Sequence, residues 1–282
     1  MTTDTAPQAA QPPPAVPPVP SQPPPSVQSP PSVLSKARSI LDAFLADDLD
    51  ATGVLPLSEL ARRSGVPKAS VHRLCQELVG WGLLERAGPG GGYRLGLLLF
   101  ELGQRVARQR VLRDAALPQM ESLLIATGET VHLGIGDGTE VLYVEKLPGS
   151  RPVASPSKVA GRLPMHATAT GKVLLAFGPP AVLGDLVRGG LRRITPHTLT
   201  SPALLGAQLA RVRAERLAVE VEECRLGHGS IAVPVSDGVS VVAALSITAP
   251  TARGPLQRHV PKLRAAAAAV SRTLVEAAAL PE

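Results

Sequence analysis

The sequence predicts an α+β protein of two domains, in which a small helical domain precedes a larger domain of helices and β-hairpins. Its 282 residues correspond to about two domains. Helical periodicity dominates up to residue 112 or so, whereas helices and alternating strands are mixed beyond it. Because aromatic residues make up only 2% of the chain, the core must be built from Leu, Val, Ala and Ile.

The first 32 residues form a proline-rich segment. They contain 12 prolines among Gln, Ser, Ala and Val, and so offer little apolar surface for a core. This composition predicts an extended, disordered tail over residues 1–32, which either has no partner or acts as a polyproline ligand. The N-terminus does not resemble a signal peptide, and no apolar run reaches about 18 residues, which predicts a cytoplasmic protein that does not enter a membrane.

Periodicity and turn signals predict three helices and a hairpin after this tail. Ser58 can cap the second helix, Gly65 tolerates the positive φ of a sharp turn, and Pro67 suits the first residue of the third helix. A Gly-rich tip joins two short strands. The predicted elements are helices over residues 35–46, 58–63 and 67–80, and strands over residues 83–86 and 93–95.

The second and third helices have the pattern of a helix-turn-helix. Val71, Leu74 and Leu78 share one helical face, which predicts that they point into the core. The polar side chains that then project outward can donate hydrogen bonds to phosphates and base edges. These side chains are Lys68, Ser70, His72 and Arg73.

Basic residues are concentrated in this part of the chain. Between Arg62 and Arg113 there are ten Lys and Arg residues and three acidic residues, and the whole chain carries a net charge of +6. Arg62 lies on the second helix and Arg94 beside the Gly-rich tip, where both can contact DNA. The sequence therefore predicts a winged helix-turn-helix over residues 33–96 that binds double-stranded DNA. A three-helix unit with a solvated charged face is the alternative.

The rest of the chain predicts a connecting helix and a second domain. We expect a linker helix over residues 97–112 and an α+β domain over residues 113–282. The strands on either side of Gly136 and Gly138 have the pattern of a hairpin. The predicted elements are helices over residues 97–110, 114–127, 169 onward, 201–216 and 256–279, and strands over residues 131–135, 141–146, 230–235 and 241–248.

No catalytic residue, cofactor site or metal site is predicted. Gly171–Lys172 lacks the flanking residues of a phosphate-binding loop, and the His228–Gly229–Ser230 run is not part of a GxSxG motif. The adjacent Glu222 and Glu223 point apart on any regular element, which predicts a solvated or capping role. The six histidines and two cysteines show no metal-ligand spacing. These observations argue against an enzyme.

Four groups of residues, in order along the chain, resemble the IclR family of bacterial transcription regulators. Residues 57–61 (LSELA) with 65–74 (GVPKASVHRL) resemble its DNA-binding helices, and residues 93–96 (YRLG) resemble its wing exit. The segment LPMHATATGK resembles the signature of its effector domain. Glu222–Glu223 with IAVPV and AALSI resemble its C-terminal signature. The resemblance extends from residue 33 to about residue 278.

The resemblance implies a GAF-like effector-binding domain and a homodimer or dimer of dimers on a palindromic or repeated operator. It also implies a small organic or aromatic acid as the effector. The backbone N–H groups of Ala169 and Thr170 would meet the anionic end of this acid at a helix N-terminus. Polar contacts would come from Glu220, Ser230, Ser246 and Thr248, and apolar contacts from Leu147, Leu163 and Met165.

The sequence departs from the family pattern at three points. Ser230 stands where the family often has Cys, and Cys224, six residues earlier, is not expected to replace it. Glu220 is longer than the Asp found in some members, which predicts a smaller pocket. The hairpin over residues 237–240 is about one residue short.

The resulting hypothesis is a sequence-specific transcription regulator whose operator affinity responds to a small molecule. The alternative is a DNA-architectural protein that senses nothing. A second domain of some 170 residues argues against that alternative.

Overall fold

The computed structural model describes residues 32–46, 48–50, 52–88, 91–150 and 157–279. The tail predicted over residues 1–32 therefore lies outside the described residues except for Ser32. That residue is the N-cap of the first helix, where its hydroxyl accepts a 3.1 Å hydrogen bond from Ser35 N–H. The centre of the predicted Gly-rich tip, Pro89 and Gly90, also lies outside them. No helix in the described part of the chain is long and apolar enough to cross a membrane.

The N-terminal region is a compact helical unit with a β-hairpin. Its elements are α1 (Val33–Asp42) with a 3₁₀ turn at Ala43–Leu45, α2 (Leu57–Ser64), α3 (Lys68–Gly80), β1 (Leu84–Ala87) and β2 (Gly92–Leu95). The predicted inward face of α3 is buried, with Val71 fully inaccessible and Leu74 and Leu78 at 3% and 2% exposure. Leu55 and Tyr93 exchange two backbone hydrogen bonds and add a short third strand to the hairpin.

The turn between α2 and α3 has the expected geometry, although the caps differ from the prediction. Gly65 adopts φ 67°, and its N–H donates to the carbonyl of Ala61 at 3.1 Å. Pro56, not Ser58, is the N-cap of α2, so Ser58 lies in the first turn. Pro67 is the N-cap of α3 rather than its first residue. Both helices thus begin after a proline, whose fixed φ suits the entry into a helix.

Two helices replace the single linker helix predicted over residues 97–110. α4 (Leu97–Gln104) ends in 3₁₀-type hydrogen bonds at Arg105 and Val106. α5 (Ala107–Thr127) then follows, and it contains Pro118. It is continuous over residues 111–113, where the sequence predicted a gap between two helices. Gly103 weakens the helix just before the break. The apolar residues of α5 recur every three or four positions and face the core of the next domain. They are Leu112, Ala116, Met120 and Leu123.

None of the eight residues of α4 is buried. Leu97, Phe100 and Leu102 are 63%, 62% and 50% exposed. Five of its eight residues are Leu or Phe, and a helix this apolar is normally covered by other protein. α4 is therefore an unpartnered apolar surface of the single chain.

The C-terminal region is an antiparallel sheet covered by helices on both faces. Among the described residues its six strands have the order β5-β4-β3-β8-β7-β6. The strands are β3 (Thr130–Asp137), β4 (Glu140–Leu147), β5 (Arg162–Pro164), β6 (Ala218–Val221), β7 (His228–Ser236) and β8 (Val241–Pro250). The helices are α6 (Ala169–Phe177), α7 (Pro180–Gly189), α8 (Pro202–Glu215) and α9 (Val260–Ala279).

Each face of this sheet has its own apolar core. α5 and α9 pack on one face, where Leu133, Ile231 and Leu245 are fully buried. α6, α7 and α8 cover the other face, around Val141, Ala232 and Ala244. This arrangement of helices on both sides of a curled sheet confirms the α+β fold predicted for this domain, and it places the start of α6 over the middle of the sheet.

Candidate DNA-reading surface and effector pocket

Three of the four side chains of α3 that the sequence predicts to contact DNA lie on its outward face. Lys68, His72 and Arg73 are exposed and Ser70 is half-buried. The side chains of Lys68 and His72 make no hydrogen bond or ion pair within the described part of the chain. Since buried Val71 and Leu74 hold the opposite face of the helix in the core, the polar face is presented to solvent at a fixed angle.

Three arginines of the predicted surface are engaged in exposed ion pairs. Arg73 donates to Glu77 at 3.0 Å, Arg62 to Glu59 at 2.8 Å, and Arg94 to Glu85 across the hairpin at 2.9 Å. Arg73 and Glu77 remain 63% and 42% exposed. Ion pairs of this kind contribute little to stability, so the guanidinium groups can exchange their carboxylates for phosphates.

Arg63, beside Arg62, has a structural role that the sequence did not reveal. Its side chain is only 13% exposed and bonds Asp48 at 2.8 and 2.9 Å, together with Glu59 at 2.6 Å. These contacts tie α2 to the segment that follows α1.

A small pocket lies between the start of α6 and the sheet. Its polar wall follows from strand pairing, since residues directly opposite each other on antiparallel strands share a face. Glu220 on β6 pairs with Ser230 on β7, and Ser230 pairs with Thr248 on β8. The hydroxyls of Ser230 and Thr248 lie 2.9 Å apart. The three side chains thus form one polar row that faces α6.

The other wall of the pocket is the N-terminus of α6. Thr168 caps this helix, and its hydroxyl accepts from Gly171 N–H at 3.1 Å. The N–H groups of Ala169 and Thr170, which line the pocket, belong to the first turn and have no acceptor within the helix. The helix comes this close to the sheet because β3 has Gly134 beneath it, where a Cβ would lie 2.7 Å from the methyl group of Thr170.

Six of the predicted effector-binding residues line this pocket, and three lie elsewhere. The six are Leu163, Ala169, Thr170, Glu220, Ser230 and Thr248. Ser246 lies next to the pocket and accepts a 3.1 Å hydrogen bond from Thr170 Oγ1. Met165 lines a larger cavity that extends beside α6 as far as Gly178, and Leu147 packs in the core on the opposite face of the sheet.

Several lining residues carried no signal that the sequence reading detected. His132 and Tyr143 lie on β3 and β4, Cys224 and Arg225 in the loop between β6 and β7, and His228 at the first position of β7. Arg225 is half-buried, and its guanidinium has no hydrogen bond or ion pair within the described part of the chain. Burial raises the pKa of the Cys224 thiol to about 12, so this wall is uncharged there.

Glu220 is the titratable group of the polar row. It is 4% exposed, and burial raises the pKa of its carboxyl from 4.5 to about 7. Hydrogen bonds from Ser230 and from Glu223 N–H, the latter 3.0 Å long, oppose this rise. The carboxyl can therefore change its protonation state near neutral pH.

Glu223 is buried rather than solvated, which corrects the prediction for the adjacent acids. Its carboxylate forms an ion pair with Lys172, whose side chain is fully inaccessible. The Glu223 carboxylate also accepts from Leu199 N–H at 3.4 Å. Burial lowers the pKa of Lys172, and the attraction of Glu223 opposes that effect. The pair joins α6 to the loop that carries Cys224 and Arg225.

The pocket has a volume of only about 40 Å³. A cavity needs roughly 10–15 Å³ to hold one water, so this volume holds a few waters and not an aromatic acid. The small size agrees with the effect expected of the long Glu220 side chain. A ligand of about ten heavy atoms requires the walls to move apart.

The domains of this chain match those of one family of regulators. Residues 104–272 match the C-terminal domain of the bacterial transcriptional regulator IclR, and residues 33–88 match the IclR helix-turn-helix domain. The chain belongs to the IclR family. It is 35% identical over 246 residues to the HTH-type transcriptional regulator XynR of Escherichia coli K12, covering 86% of this chain and 96% of that protein. It is 36% identical over 220 residues to KdgR of the same organism, covering 76% and 84%.

Solved IclR-family structures share the fold. An IclR homologue from Microbacterium hydrocarbonoxydans, crystallised with 4-hydroxybenzoate, superposes with a TM-score of 0.80 at 32% identity, covering 87% of this chain and 100% of the other. Thermotoga maritima IclR gives a TM-score of 0.68 at 29% identity, covering 86% and 98%. The chain is thus a DNA-binding transcription regulator with a winged helix-turn-helix and an effector-binding domain. As with the XynR and KdgR relatives, its domains are those of regulators and not of enzymes.

Proposed function

We propose that the N-terminal half of α3 reads the operator in the major groove. The observation that supports this is the exposed set of Lys68, His72 and Arg73, with half-buried Ser70 beside it, on a helix whose other face is buried. Arg62 on α2 and Arg94 on the hairpin would contact the DNA backbone beside the groove, after releasing their exposed carboxylate partners. Recognition of operator DNA also leads us to propose a cytoplasmic location.

The test compares two arginines that have the same local setting. Arg73 and Arg211 each form an exposed ion pair with a Glu four residues later, but Arg211 lies on α8 in the C-terminal domain. We expect Arg73→Ala to weaken binding to the upstream intergenic DNA of its own gene by about tenfold or more, as lost base contacts do. Arg211→Ala serves as the control and should bind like the unaltered protein, in fluorescence anisotropy at fixed salt. Equal affinities of the two variants would contradict the proposed reading helix.

We also propose that the pocket beside α6 binds a small carboxylic acid and that this effector changes operator affinity. The free N–H groups of Ala169 and Thr170 and the unpaired guanidinium of Arg225 belong to residues that line the pocket, and such donors suit a carboxylate. Glu220, Ser230 and Thr248 form a polar row that suits a hydroxyl or a second polar group. The 4-hydroxybenzoate bound by the Microbacterium homologue has both kinds of group.

Calorimetry with a panel of small acids tests this site. The panel includes 4-hydroxybenzoate, and each acid is paired with its neutral amide, such as 4-hydroxybenzamide. We expect at least one acid to bind while its amide does not, and Arg225→Gln to weaken that acid by about 10- to 100-fold, the range for a lost charge-assisted hydrogen bond. Arg188→Gln, on the exposed surface of α7, is the matched control. Equal binding of acid and amide would refute a carboxylate site.

We further propose that the protein acts as a dimer, or a dimer of dimers, whose contact includes α4. The apolar surface of α4 is uncovered in the single chain and lies between the DNA-binding unit and α5. A dimer would present two recognition helices, and operator half-sites lie about 34 Å apart for one turn of DNA. Effector binding would change operator affinity by altering the spacing of these helices.

A further inference from the structure

A second and much larger cavity lies beside α6, with lining residues from Met165 before the helix to Gly178 after it. Its volume is about 710 Å³, and small-molecule sites commonly measure roughly 300–1,000 Å³. It is bounded by the start of α5, the tips of the β3–β4 and β7–β8 hairpins, the turn between α6 and α7, and the last turns of α9. It shares no lining residue with the pocket beside the start of α6.

Most of the cavity wall is apolar. Large aliphatic side chains come from four different elements, among them Leu112 of α5, Ile135 of β3, Leu174 of α6 and Leu274 of α9. Met165, in the 3₁₀ turn that precedes α6, completes this part of the wall. The body of a ligand in this cavity is therefore apolar.

Two neighbouring polar residues of α5, Arg108 and Gln109, line this cavity. The Oε1 atom of Gln109 is buried and has no hydrogen-bond partner in the described part of the chain. A buried acceptor without a donor is unfavourable, which makes it a natural contact for a ligand group that donates. Arg108 is exposed at the same wall, and its guanidinium has no hydrogen bond or ion pair among the described residues.

Asp237 is the acidic residue of the cavity, and its carboxylate is already satisfied. It accepts backbone N–H bonds from Val239 at 3.0 Å and from Ser240 at 2.8 Å. Because its negative charge lies near Arg108, a ligand need not bring a full negative charge of its own. A hydroxyl meets both requirements of this wall, since it can donate to Gln109 and accept from Arg108.

We propose that this cavity is a second ligand site, which binds an apolar alcohol or phenol through a hydroxyl held between Gln109 and Arg108. The apolar body of the ligand packs against Met165 and Leu174. The ligand therefore contacts α5, which follows α4 after the break at Arg105–Val106, and the 3₁₀ turn that precedes α6. Its cavity shares no lining residue with the acid pocket at the start of α6, so the two ligands bind at separate sites.

Two isomeric probes test the role of the hydroxyl. Octan-1-ol and 1-methoxyheptane have the same formula, and both can accept a hydrogen bond, but only the alcohol can donate one. In calorimetric titrations of the full-length protein we expect saturable binding of octan-1-ol and about threefold to tenfold weaker binding of the ether, as for one lost hydrogen bond. In Gln109→Leu the two probes should bind alike. No saturable binding of the alcohol, or equal affinities in the unaltered protein, would overturn the proposal.

Two further variants identify the cavity. Ala277→Phe introduces a ring into the cavity from the last turns of α9 and should abolish binding of both probes. Ala279→Phe, two residues further on and outside the cavity lining, is its matched control and should leave binding unchanged. Arg225→Gln, in the small pocket, should also leave octan-1-ol binding unchanged. Binding that survives Ala277→Phe or is lost in Arg225→Gln would overturn the assignment to this cavity.

Discussion

Replacement of Glu220 by Gln is expected to remove a pH dependence from the stability of the C-terminal domain. The carboxyl is 4% exposed, and burial raises its pKa from 4.5 to about 7. Two charged groups shift this pKa, Glu223 and Lys172, and the other charged or titratable groups on the pocket wall are His132, Tyr143, Cys224, Arg225 and His228. Of these, Glu223 adds to the rise and Lys172 opposes it.

The sign and size of the effect follow from the two pKa values. The folded chain holds the Glu220 proton more tightly than the unfolded chain does, so the contribution to stability is complete below pH 4.5 and is lost as the pH rises through 7. At about 1.36 kcal/mol for each pKa unit, the full loss is about 3 kcal/mol. Gln keeps the shape and the hydrogen bonds of the protonated carboxyl and does not titrate.

Urea unfolding of the full-length protein between pH 5 and pH 8.5, followed by circular dichroism, measures this loss. The quantity to compare is the difference between the two pH profiles, because other groups, such as buried His132, affect both proteins equally. We expect the profiles to diverge by about 3 kcal/mol as the pH rises to 8.5. Glu121→Gln, at an exposed position on α5, should reproduce the original profile. Parallel profiles for Glu220→Gln would show that the carboxyl is ionised in the folded protein and would refute the reasoning.

Two other predictions concern the buried ion pair and α4. Lys172→Met leaves the Glu223 carboxylate buried and unpaired, which should cost about 3–5 kcal/mol in urea unfolding, and adding Glu223→Gln should recover most of this loss. A single variant as stable as the unaltered protein would contradict a buried pair. Phe100→Glu should shift sedimentation to the monomer and weaken operator binding by about 100-fold, whereas Ile125→Glu, at an 85% exposed site on α5, should change neither. A Phe100→Glu protein that remains dimeric would exclude α4 from the interface.

The strongly periodic elements could be predicted from the sequence. The alternating runs around Gly136 and Gly138 form the β3–β4 hairpin, and α6, α8 and α9 lie within a few residues of their predicted bounds. The short strands β5 and β6 were missed because three or four residues are too few to show an alternating pattern. The helix break lies at Arg105–Val106, although the sequence predicted it near residue 112. Local propensity does not show that Leu112 already belongs to the same buried helical face as Ala116.

The candidate pocket was predictable only where its residues lie within recognisable motifs. The start of α6 and the polar positions of β7 and β8 came from the family resemblance. The positions of His132 and Tyr143 in the pocket depend on strand register, which decides which residues distant in sequence lie next to each other. Arg225 lies in an irregular loop without periodicity. The burial of Glu223 depends on its contact with Lys172, 51 residues away, which no local pattern indicates.

The continuity of α5 determines where this protein can be divided into autonomous folding units. The helix begins at Ala107 and contributes Leu112, Ala116, Met120 and Leu123 to the core of the C-terminal domain. A fragment starting at residue 113 would lose Leu112 and with it part of that core. A fragment starting at the helix break, at Arg105 or Val106, would keep the whole helix. We therefore expect the two halves of the regulator to separate at the end of α4, where cleavage of the folded chain would leave the C-terminal core complete.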